Sequence, residues 1–145
     1  MTIALETVAI AGAALFAAWA LYVSLVEHPA RMETGPAAAR IAFRSSYRRA
    51  APWQAAFASL TFASGLAAAL VTSAWAWALG GVVVGAAVPF TLLVVMPTTR
   101  RLLASAPLDD RDAGALLRRW GRLHWIRSGL GAGGLVVLLL AAHLR

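Results

Sequence analysis

A chain of 145 residues that is 61% hydrophobic, 13% charged and of mean hydropathy +0.73 is too apolar for an ordinary soluble domain and reads as one small polytopic membrane domain. Its net charge of +7 comes from arginines flanking apolar runs, a pattern that sets membrane orientation, and so apolar a chain offers no separate basic domain for nucleic acid. The absence of cysteine removes disulfide exchange, thiolate nucleophiles, iron–sulfur clusters and thiolate zinc sites.

Four spans are expected, over about residues 3–26, 53–71, 76–96 and 125–143. The first, Ile3 to Val26, is interrupted only by Glu6, Thr7 and Ser24, and without a basic n-region it reads as a span and not as a cleaved signal peptide. Glu6 is expected to be exposed at the helix start, where a carboxylate suits the dipole. Pro29, in Glu27-His28-Pro29-Ala30-Arg31, is expected to stop the helix.

Thr34-Gly35-Pro36 reads as a turn opening a second helix. Arg40, Arg44 and Arg48 recur at i, i+4 and i+8 beside Ile41 and Phe43, which predicts an amphipathic helix lying on an anionic lipid surface ahead of span 2; the other reading is that Arg44, Tyr47 or Arg49 caps a pocket. In span 2, Gln54, Thr61 and Gly65 share a face, and a glutamine in lipid needs a partner. Residues 72–80 carry two tryptophans and form a tight surface turn. Span 3 has Gly81 and Gly85 at close-packing spacing, a kink expected at Pro89, and an end at Met96-Pro97-Thr98-Thr99-Arg100-Arg101. Asp109, Asp110 and Asp112 precede a helix from about Ala113 to Ala142, roughly 45 Å long, whose first three turns project beyond the bilayer. Gly129 and Gly133 repeat the close-packing spacing there.

The fold class is therefore all-α: a four-transmembrane-helix bundle with an interfacial amphipathic helix before span 2 and a long fourth helix. Both termini and the 72–80 turn share one side, on which Arg145 is the only arginine. By the positive-inside rule the other side is cytoplasmic, which places a bacterial inner-membrane protein with both termini extracytoplasmic.

The chain is organised around residues 118–127. Trp120, His124 and Arg127 lie at i, i+4 and i+7 on one helical face. Counted back from Ala142, Arg127 is roughly 22 Å and His124 about 27 Å along a hydrocarbon layer of about 30 Å. A buried arginine costs on the order of 2.5 to 3.5 kcal/mol near a helix centre, so it should face a polar pocket. Glu27, His28 and Arg31, then Tyr47, Arg49, Trp53 and Gln54, then Thr98 and Arg100, gather at the same membrane boundary.

The runs Ser24-Leu25-Val26-Glu27-His28-Pro29-Ala30-Arg31, Tyr47-Arg48-Arg49-Ala50-Ala51-Pro52-Trp53-Gln54, Pro89-Phe90-Thr91-Leu92-Leu93-Val94-Val95-Met96-Pro97-Thr98 and Leu117 through Arg127 together resemble the anthrone oxygenase-like family of small four-helix membrane proteins. Where many relatives have asparagine after Met-Pro-Thr, this chain has Thr99, which lacks the amide donor and acceptor. The resemblance implies oxidation of an anthrone-type polyphenol to a quinone by O2 without a dedicated cofactor. Such chemistry needs a base, cations for an oxyanion and a dry aromatic slot. His28 or His124 is the candidate base, Arg127, Arg31 and Arg49 the oxyanion partners, and Trp53 and Trp120 the walls, with Tyr47 and Gln54 on the substrate. Two other readings stand beside it. Glu27, His28 and His124 supply donors for haem or a divalent metal. Alternatively the arginine cluster holds a lipid head group or a quinone, or the protein is an accessory subunit or homo-oligomer packing through its small residues.

Overall fold

The computed structural model of the chain describes residues 2–144, so Arg145 lies outside the described residues. It contains four helices long and apolar enough to cross a membrane: α1 (Thr2–Glu33), α2 (Pro36–Thr72), α3 (Trp75–Leu103) and α4 (Asp110–His143). Among the described residues there is no strand. Each helix packs on its neighbours in a closed ring, α1 on α2 and α4, and α3 on α2 and α4.

Small residues let the backbones approach. A Cβ on Gly65 would stand 2.8 Å from the Trp77 carbonyl oxygen and 3.0 Å from Gly81 Cα, so α2 and α3 are in backbone contact at that point. Gly81 thus packs as its spacing suggests. Gly129 and Gly133 do not: both are exposed with nothing within 4 Å of a Cβ, and it is Gly131, against Phe16 and Ala17, and Gly134, against Gly80 and Val84, that make close contacts in this part of α4. The reason is phase, since the two pairs lie on different faces of one helix.

Two helices run on through places where an end was expected, α1 through Pro29 and α3 through Pro97. In α1 the turn Val23–Glu27 is π-helical, and the helix resumes at His28 with Pro29 in its first turn. In α3 the turn Thr91–Val95 is π-helical and Pro97 follows in the same place. A proline lacks the N–H of the i→i−4 ladder and crowds the preceding turn; the wider turn absorbs both defects. Upstream, α3 is also interrupted by a turn at Ala86, three residues before Pro89.

The segment ahead of span 2 is not a separate interfacial helix. It forms the first turns of α2, which runs unbroken through Pro52 for 37 residues, about 55 Å. Its Ala39 and Phe43 are buried against Leu102, Leu117 and Trp120, an anchorage that outweighs the pull of the lipid surface. Arg40 is turned to the protein as well: its guanidinium donates to the carbonyls of Leu102 (3.1 Å), Ala104 (2.6 Å) and Ala106 (3.0 Å), capping the end of α3. At the start of α4, the Asp109 carboxylate accepts from Asp112 N–H at 2.7 Å, the N-cap expected there. The turn between α2 and α3 is only Ser73 and Ala74, with Ser73 in the left-handed region. Glu6 is buried and not exposed, on the α1 face that also carries Ala9 and Ala13, because a carboxylate at that level is better placed inside the bundle than against lipid.

The interior has two apolar clusters. One holds Phe16, Ala20, Ala58, Trp77, Val84 and Leu138; the other holds Val23, Phe43, Leu102, Leu117 and Trp120. Between them lies a layer of buried polar side chains.

Candidate functional site

That layer is built by all four helices. The π-turn of α1 brings Ser24, Glu27 and Arg31 to α4, where His124, Arg127 and Ser128 share a face. The middle of α2 supplies Tyr47 and Gln54, and α3 supplies Thr98 and Thr99.

His124 is 2% exposed, and its Nδ1 lies 3.0 Å from Ser24 Oγ. Ser24 Oγ is 2.9 Å from Ser128 Oγ, which in turn donates to the Ala20 carbonyl at 3.0 Å. Either serine oxygen can donate in the Ser24–Ser128 bond; with the Ser128 proton on the Ala20 carbonyl, Ser24 donates to Ser128 and accepts from His124 Nδ1–H. In that arrangement the imidazole is the Nδ1–H tautomer and Nε2 carries the lone pair, on a side chain that lines the polar cavity.

Arg127 is 7% exposed, its Nε has no hydrogen-bond partner among the described residues, and its Cζ stands 5.6 Å from the centre of the Phe16 ring. Gln54 is 3% exposed and its side chain makes no hydrogen bond to a described residue. Arg31 is paired with Glu27 and donates to Ser46 Oγ at 2.8 Å, with its Cζ 5.5 Å from the Phe43 ring centre. Two buried guanidiniums against one carboxylate leave the layer one positive charge in excess. An anion arriving or forming in it would be stabilised in a desolvated setting.

The aromatic side chains form a stack beside these groups. Trp120 lies on His124 at 4.7 Å between ring centres, meets Phe43 edge-on at 4.9 Å and touches His28 at 5.5 Å; Phe43 stacks on Tyr47 at 5.5 Å. Tyr47 interacts with Thr99 and Arg127. Thr99 is fully buried, so the position where relatives place an amide offers Tyr47 a hydroxyl here.

Two chambers meet at Tyr47, Ala51, Gln54 and Arg127. The polar one, reaching His124, Arg31 and Glu27, admits the centre of a water-sized sphere over about 20 Å³; the second, between α2 and α3, does so over about 140 Å³. The first has room for a water or a dioxygen and the second for a ring system.

Of the residues singled out in the sequence, Arg31, Tyr47, Gln54, Trp120, His124 and Arg127 line the polar chamber together. His28 is half-buried against Trp120 and Gly121 and is not among its walls. Arg49 is exposed and bonded to Ser45 of its own helix, and Trp53 is 60% exposed, with its ring beside that of Phe57. Thr98 is buried and Arg100 is exposed. Among the described residues no three His, Asp or Glu side chains converge as metal ligands would, and Glu27 is engaged by Arg31. The sequence reading missed Ser24 and Ser128. Their signal was available: Ser128 stands four residues after His124, and Ser24 is the only serine or threonine between Thr7 and Thr34.

A family model described as anthrone oxygenase matches residues 40–137, more than half of the chain. The matched part holds Tyr47, Gln54, Thr99, Trp120, His124 and Arg127, whereas Ser24, Glu27 and Arg31 precede it. No curated protein and no solved structure gives a significant match.

Proposed function

Because the chain belongs to the anthrone oxygenase family, we propose that it oxidises a lipophilic anthrone-type polyphenol to a quinone with O2, using its own side chains and no dedicated cofactor. It works in a bacterial inner membrane with the arginine-rich end in the cytoplasm and both termini outside, an orientation supported by the distribution of its arginines. The observation that carries the reading is the convergence on one buried chamber of His124, whose Nδ1 is engaged by Ser24, and Arg127, whose Nε has no hydrogen-bond partner among the described residues.

His124 removes a proton from the methylene carbon of the anthrone, and the electron pair spreads to the ring oxo group, whose developing charge is held by Arg127. The carbanion gives one electron to O2, and the resulting radical and superoxide combine to form a carbon–oxygen bond and a peroxide anion. The imidazolium returns its proton to the terminal oxygen. Loss of the second proton from the same carbon to His124 breaks the oxygen–oxygen bond, makes the new carbonyl and expels hydroxide, which takes that proton and leaves as water. One anthrone and one O2 thus give one quinone and one water. Trp120 and Phe43 keep the chamber dry, which strengthens each charge interaction in it.

The test is oxygen consumption by the purified, metal-stripped protein in detergent with anthrone, measured above the uncatalysed background. The His124→Gln variant is expected to lose turnover. A variant that consumes oxygen as fast as the parent would remove the proposal, and ligand binding without oxygen uptake in the parent would leave a quinone- or lipid-binding role.

A further inference from the structure

The larger chamber has its own character. Its walls from α2 recur at Ala51, Gln54, Ala55 and Ala58, one helical face made mostly of alanine, and from α3 it receives Ala87 and Thr91. The Thr91 hydroxyl donates to the Ala87 carbonyl at 2.6 Å, so its polarity is spent within the helix. Polar groups with unused hydrogen-bonding capacity therefore lie only where this chamber meets the polar one, at Gln54, Tyr47 and Arg127.

Two residues of the lining, Ala55 and Leu92, are exposed, and both belong to the apolar parts of α2 and α3. The chamber consequently opens sideways, toward the hydrocarbon. The opening has a structural origin: α2 packs closely on the first half of α3 through Gly65 and Gly81, but beyond the turn at Ala86 and through the π-turn it hardly touches α3. The polar chamber, by contrast, has no exposed residue in its lining.

We propose that this alanine-walled chamber is the seat of the ligand's ring system and that the ligand enters it from the bilayer between α2 and α3. The ligand it fits is a flat fused aromatic with oxo or hydroxyl groups on one edge, facing Gln54, Tyr47 and Arg127, and no polar group on the opposite edge. The assignment rests on the oxygenase reading for the class of ligand, and on the cavity for its position. Ala55 and Ala58 then set how large a ring system is admitted. Dioxygen and the product water use the small polar chamber at the reacting edge.

The test is binding and not turnover. Unsubstituted anthraquinone, a product-like probe, is titrated into the purified protein and its quenching of tryptophan fluorescence followed to saturation. Ala55→Phe fills the lateral mouth from an exposed position, and Ala56→Phe places the same ring one residue away, outside every chamber wall, as a control for probe partitioning and for folding. Saturable quenching in the parent, with half-saturation weakened roughly tenfold in Ala55→Phe and unchanged in Ala56→Phe, is expected. Val88→Phe, on the α3 side of the same chamber, should repeat the loss. Unchanged binding in both Ala55→Phe and Val88→Phe, or equal loss in Ala56→Phe, overturns the seat. The two proposals separate cleanly: binding that responds to Ala55→Phe without oxygen uptake in the parent keeps the seat and removes the oxygenase, whereas turnover with no response to Ala55→Phe does the reverse.

Discussion

Replacing Ser128 by alanine tests the relay without touching the imidazole or its nearest contact. The relay as proposed has Ser24 accepting from His124 Nδ1–H while giving its own proton to Ser128, 2.9 Å away. Without that acceptor, keeping the Nδ1–H tautomer leaves the Ser24 hydroxyl proton unpaired in a buried site, at a cost of about 1 to 3 kcal/mol. Turning the same hydroxyl toward Nδ1 avoids the cost and moves the ring proton to Nε2. The share of His124 with a free Nε2 should therefore fall between roughly 5-fold and 150-fold, and kcat with it, while KM stays near the parent value. Two-bond proton–nitrogen correlation spectra of nitrogen-15-labelled protein in micelles read the tautomer directly, with His124→Gln assigning the signal among three histidines. A parent whose His124 carries its proton on Nε2, or an S128A protein that keeps Nδ1–H and full turnover, would refute the relay.

Arg127→Met should lower kcat by on the order of 10²- to 10³-fold, as for loss of an oxyanion donor, yet leave the thermal midpoint unchanged or raised, because it replaces a desolvated cation lacking a partner at Nε with an apolar chain of similar length. A midpoint lowered by several degrees would make the guanidinium structural. Gly65→Ala, whose Cβ meets the backbone of α3, should cost about 1 to 3 kcal/mol of stability, whereas Gly129→Ala, into open space, should be neutral or stabilising by up to about 1 kcal/mol. Equal effects in a thermal melt would contradict the packing described. Arg49→Ala, on an exposed side chain, should change oxygen consumption by less than about twofold, and a larger loss would return Arg49 to the site.

The helical class and the four apolar helices were legible because hydropathy and length are properties of single helices. So was the Asp109 cap, which depends on residues three apart. What escaped depends on partners. The glycine spacing at 129 and 133 is as good as that at 131 and 134, and only the neighbouring helix decides which pair is used. Arg40 had the spacing of a lipid-facing residue, but the carbonyls it caps come from the end of α3 and the residues just after it, more than sixty positions on. The serine relay joins residues about a hundred positions apart, and a serine in an apolar helix more often bonds its own backbone. Glu27 and Arg31 both line the polar chamber, although the helix stop expected between them would have separated them. Proline rules describe α-helical geometry, and nothing in the local residue pattern announces a π-turn.

Each π-turn stores one extra residue within a continuous helix, and one residue corresponds to about 100° of rotation. Everything beyond Val23–Glu27 on α1, Arg31 included, is therefore turned by that angle from where an uninterrupted α-helix would carry it, and Thr98 and Thr99 are turned likewise beyond Thr91–Val95 on α3. The membrane-crossing part of each helix can then keep an unchanged lipid-facing surface while the end beyond it is re-aimed at the centre. Removing a single residue from either turn would leave hydropathy, span number and length almost as they are and dismantle the site by phase alone. An insertion of one codon into each of two plain helices is, in reverse, a short route by which a bundle of this kind can acquire an interior.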